Sequence, residues 1–90
     1  SYTKSTAMDD HRERTEWMKE QVNDEGFFKR HLEGLSEDAK EFAHKIRNIF
    51  TSNDDPDEIR RQVHECRDGA PPEVQEELRQ QRDRMFEEMH

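Results

Sequence analysis

The large apolar residues of this chain recur at every third or fourth position, and no stretch alternates apolar with polar over the roughly four to eight residues of a half-buried strand. Strands therefore have no candidate, and the spacing points to helices that each bury one face. It is clearest over 37–50, where Ala39, Phe42, Ala43, Ile46, Ile49 and Phe50 fall on one face and Glu41, His44, Lys45 and Asn48 take the other. Ile46 stands in the middle of that stripe, so an aspartate there is expected to unfold the domain. Ile59, Val63 and Cys66 make a narrower stripe in 56–68. Val74, Leu78, Met85, Phe86 and Met89 make another in 72–89, broken by a polar turn at Gln81 and Arg82. Residues 9–25 offer Trp17, Met18 and Val22 amid charge, and 27–34 place Phe27, Phe28, His31 and Leu32 on one short face.

The three glycines and three prolines fall at the borders of these segments. Asp55 before Pro56 reads as an N-cap, with proline at the first helical position and Glu58 three residues on to complete a capping box. Ser36-Glu37-Asp38 and Ala70-Pro71-Pro72-Glu73 mark two further helix starts. Gly26, Gly34 and Gly69 each follow a helical stretch, where a left-handed residue can close the last turn. The expected architecture is all-α, a small bundle of four to five short amphipathic helices near 9–25, 27–34, 37–50, 56–68 and 72–89. Residues 9–90 form its single domain, and residues 1–8, which carry no stripe, are expected to fray.

Composition pulls the other way. Val, Leu, Ile and Phe supply 14 of 90 residues, 42% are charged and the net charge is −8, values associated with disorder when the apolar residues are scattered. Here they are ordered, so a fold with a small core is expected, with little interior for a roomy ligand cavity in a monomer and an incentive to form a homodimer. The negative charge argues against nucleic acid, whose phosphates need clustered Lys and Arg; only 27–50 is faintly basic. No run is apolar enough for a membrane span. Cys66 is the one cysteine, so no internal disulfide or thiolate pair is available.

Motifs that suggest chemistry fail on spacing. Asn53-Asp54-Asp55-Pro56-Asp57-Glu58 resembles a calcium loop, but the loop's sixth and twelfth positions hold Glu58 and His64 in place of glycine and glutamate. Glu41-x-x-His44 matches half of a di-iron site and lacks the second pair. His64-x-Cys66 cannot bring two ligands to one metal from a helix, and His11, His31 and His90 are dispersed. With no phosphate-cradling glycine loop and no nucleophile elbow, the chain reads as a non-enzyme without a cofactor. Trp17, Phe27, Phe28, Met85, Phe86 and Met89 are the candidate surface for a partner or an apolar ligand, because aromatics and methionine give adaptable contact.

Leu35-Ser36-Glu37-Asp38-Ala39-Lys40, then Ile46, Ile49, Ile59 and Val63, then Pro71-Pro72-Glu73-Val74-Gln75-Glu76-Glu77-Leu78 resemble the distal half of the SXP-like secreted antigens of nematodes. The likeness covers 35–78 and departs from the family pattern at Asp55-Pro56, where Leu-Thr often opens the helix. The nematode fatty-acid- and retinol-binding proteins are similar from Leu35 to Phe42. Either resemblance implies an all-helical, usually secreted protein without catalysis, and neither assigns a site residue here. The expected function is a small non-enzymatic protein acting through a protein-binding surface; the alternatives are a carrier of an apolar ligand such as a fatty acid and an intracellular scaffold or adaptor, which a free cysteine and a missing leader would suit.

Overall fold

The computed structural model describes residues 3–89, with side chains from residue 11 onward. It contains five helices: α1 (Thr3–Asn23), α2 (Glu25–Leu32), α3 (Glu37–Ser52), α4 (Pro56–Asp68) and α5 (Pro72–Phe86). Among the described residues there is no strand, and no helix is long and apolar enough to cross a membrane. Helix α1 begins six residues ahead of its expected start at residue 9. Of the segment expected to fray, residues 1 and 2 lie outside the described residues, as does His90.

The core is one cluster drawn from every helix, including Met18, Val22, Phe27, Phe28, Leu35, Ala43, Phe50, Val74, Leu78 and Met85. Ala39 and Ile59 are sealed most completely, at 0% and 1% exposed. Ile46 is different. It is half-buried against the cluster, as are Phe42 and Ile49, so the middle of the best sequence stripe is not the deepest part of the core.

With so little apolar material, the helices are joined largely through their ends, where backbone groups have no partner inside the helix. Local caps behave as the sequence implies at Ser36, whose hydroxyl accepts from Ala39 N–H at 3.2 Å, and at Asp55, which accepts from Asp57 N–H at 3.0 Å. The capping box at Asp55 does not close, because Glu58 turns outward to Arg61 and Gln62. Asp24 starts α2 by accepting from Gly26 and Phe27 N–H. Gly26 thus lies inside α2 and does not terminate α1; a Cβ there would stand 3.3 Å from the capping carboxylate. Of the glycines, only Gly34 takes a positive φ, 97°, and so turns the chain from α2 toward α3.

The remaining caps come from distant helices. Lys19 on α1 donates to the carbonyls of Phe50 at 2.8 Å and Asn53 at 2.5 Å, closing the C-terminal end of α3. In return, Arg47 on α3 donates to Val22 O at the end of α1, at 2.8 Å. Gln81, read from sequence as part of an exposed polar turn, is 7% exposed and donates to His31 O at the end of α2, at 2.7 Å. A stripe count admits only apolar residues and so misses a buried amide that satisfies a carbonyl 50 positions away.

Glu77 on α5 completes the start of α3, accepting from Ser36 N–H at 2.9 Å and from its hydroxyl at 2.7 Å. These two bonds hold the Glu77 carboxyl below its ordinary value of 4.5. A depressed folded-state pKa contributes stability above the unfolded value and loses it as the pH falls through the folded one. Glu77→Gln is therefore expected to flatten part of the fall in melting temperature between about pH 6 and about pH 3, followed by circular dichroism. An unaltered profile would show that the Ser36 cap carries no stability.

Candidate functional site

Helix α3 packs against α1, α4 and α5, while α5 lies less closely on α4, which it leaves after the Gly69-Ala70 turn. The large side chains available do not fill the space this arrangement encloses. The result is an open cleft of about 910 Å³ lined by all five helices. It is a half-open cleft rather than an enclosed cavity, and most of its apolar lining is itself packed into the core. Small Ala43 on the central helix is part of its lining, and polar contacts brace the helix ends around it.

The cleft has an apolar interior and a charged border. Met18, Val22, Phe28, Ile46, Phe50 and Ile59 contribute from one side, and Leu78, Met85 and Phe86 from α5. The volume is near the upper end of the roughly 300–1,000 Å³ typical of small-molecule sites. Around this interior stand Arg14, Arg47, Arg60, Arg67 and Arg82, with His11 and His64, against two acids, Asp83 and Glu87. In a chain of net charge −8, cations outnumber acids here.

The structure divides the six candidate surface residues. Phe28, Met85 and Phe86 line the cleft. Phe27 is buried, and it receives the Trp17 ring edge-on at 6.0 Å between centroids. Trp17 also meets Phe86 at 5.9 Å, and Arg14 lies over Phe86 at 5.5 Å, so Trp17, Phe27 and Phe86 form one aromatic group joining α1, α2 and α5. Met89 is half-buried beyond the end of α5 and does not line the cleft. The basic residues were missed by a reading that sought apolar surfaces; their signal was Arg60, His64 and Arg67 at i, i+4 and i+7, one face of α4.

The other chemistry-bearing groups do not assemble. Glu41 and His44 are both exposed on α3. Among the described residues, no three His, Cys, Asp or Glu side chains gather as a metal site. Cys66 is half-buried, and burial pushes its thiol up, against the opposing pull of Lys45 and Arg67. No family model, curated protein or solved structure matches this chain, so the resemblance to the SXP-like antigens rests on residues 35–78 themselves.

Proposed function

We propose that this protein is a non-enzymatic carrier of an apolar ligand such as a fatty acid, held in the cleft between α5 and the other helices. The observation that carries the reading is the cleft itself, about 910 Å³ with an interior of aliphatic, methionine and aromatic side chains in a chain of only 90 residues. The open face of the cleft is without dispersion contacts that a chain this poor in large apolar residues can use. A ligand that binds only the folded state would recover them and raise stability by mass action. The test is titration of the protein with a fluorescent long-chain fatty acid, together with thermal melts. Saturable binding and a melting temperature that climbs with ligand are expected; a linear, non-saturating signal at micromolar protein would reject the carrier.

A second reading has its own observation. Trp17 and Phe86 are half-buried at one end of the molecule, with Met89 half-buried beyond α5, an arrangement suited to a protein partner or a second copy of the chain, as the antigen resemblance would imply. Sedimentation of the ligand-free protein separates the two: a monomer at all concentrations, with saturable fatty-acid binding, favours the carrier.

A further inference from the structure

We infer, resting on the ligand reading above, that the ligand is a single-chain amphiphile with an anionic head, its charge held on the α4–α5 side of the cleft by Arg67 and Arg82, with Arg60 and His64 beside them. Arg60, His64 and Arg67 share one face of α4, and Arg82 stands opposite on α5. Carboxylates are abundant on both helices, and several are committed to arginines on the outer faces. Arg61 takes Glu58 and Glu65 at 2.5 and 2.6 Å on the exposed side of α4, a pairing that lowers Glu58 to about 2. Arg79 takes Glu76 at 2.5 Å on α5. Asp83 is divided between Arg79 at 3.6 Å and Arg82 at 3.4 Å, and Asp68 is close enough to Arg67 to oppose in part the lowering of its pKa.

Arg67 and Arg60 make no ion pair among the described residues. The polar neighbour of Arg67 is the His64 ring, with Nδ1 at 3.5 Å from Nη2. Burial and the like charge of Arg82 both pull the Arg67 guanidinium below its usual range. Arg82 shares Asp83 with Arg79, whereas Arg67 has no ion pair among the described residues; a ligand carboxylate between Arg67 and Arg82 adds charge-assisted hydrogen bonds to both half-buried guanidiniums. The alkyl tail of such a ligand has the apolar interior of Val63, Ile59, Phe50, Leu78 and Met85 next to it.

The test compares dodecanoate with dodecanol as displacers of an uncharged apolar dye, N-phenyl-1-naphthylamine, from the full chain at a pH where the acid is ionised. Dodecanoate is expected to displace the dye at about ten-fold lower concentration, a gap of one well-placed charge pair, and the gap should narrow with added salt. In the Arg67→Gln, Arg82→Gln double variant the gap should close while dye binding stays. The outer-face control Arg61→Gln, Arg79→Gln should keep the gap, and Arg67→Gln alone serves if the double variant does not fold. Equal displacement by acid and alcohol, or a gap that survives loss of Arg67 and Arg82, would overturn the anionic-head assignment and leave the carrier standing. Failure of both compounds to displace a dye that binds, or of the dye to bind, would reject the carrier and the assignment with it.

Discussion

Truncating Ile59 to alanine is expected to lower the free energy of unfolding by about 2–5 kcal/mol, and Ile59→Asp to leave no folded population at all. Ile59 is the largest side chain in the molecule that is fully enclosed, at 1% exposed. It sits at the start of α4, where its N–H already closes the first turn on Asp55 O at 3.0 Å, so the backbone there cannot readily shift to fill a hole. Ile59 is counted in the cleft wall, but its side chain is enclosed, so truncation opens a new hole in a packed part of the core. A domain of this size has only about 5–15 kcal/mol in total, which makes the loss a large share of its stability. Ile46→Asp should cost less than Ile59→Asp, because Ile46 is half-buried on the cleft and a carboxylate there can remain hydrated. Urea unfolding monitored by circular dichroism would measure both. A loss under about 1 kcal/mol for Ile59→Ala would show that the site collapses or is already wet.

This ordering of Ile59 over Ile46 shows which parts of the fold sequence reasoning can reach. Helix α3 was legible because Ser36, the acids behind it and the spacing from Ala39 to Phe50 are all local signals, and the helix runs Glu37–Ser52. The starts of α4 and α5 were legible from Asp55-Pro56 and Pro71-Pro72 for the same reason. Depth was not, since periodicity says which face turns inward and nothing of how many neighbours it meets. Gln81 read as part of a polar turn, and Glu77 carried no signal of its own, because their partners, His31 O and Ser36, lie 50 and 41 residues away. The cleft was illegible for a related reason: composition limits how much apolar surface exists, whereas a void depends on how far apart the helices are braced. Its cationic border was present in the spacing of Arg60, His64 and Arg67, but gained meaning only when α5 brought Arg82 opposite.

Lys19→Met is expected to cost about 2 kcal/mol, or roughly 10 °C in melting temperature, even though it removes a charged residue from a charge-rich surface. Methionine keeps most of the apolar stem, so the loss isolates the ammonium. That group donates to Phe50 O and Asn53 O and stands 3.7 Å from Asp54, serving as the cation at the negative end of α3, whose own last turn contains no basic residue. Lys40→Met is the contrast. Its pairing with Glu37 is a solvated i,i+3 contact at 3.3 Å, expected to be worth less than about 0.5 kcal/mol. Equal effects from the two substitutions would show that the α3 terminus is satisfied by water instead of by α1. Lys19 and Arg47 tie α1 to α3 in opposite directions along the same seam, so their removal should be non-additive, as for neighbours that hold one joint. Because α1 carries Arg14, Met18 and Val22 to the cleft, loosening that seam should weaken ligand binding along with stability.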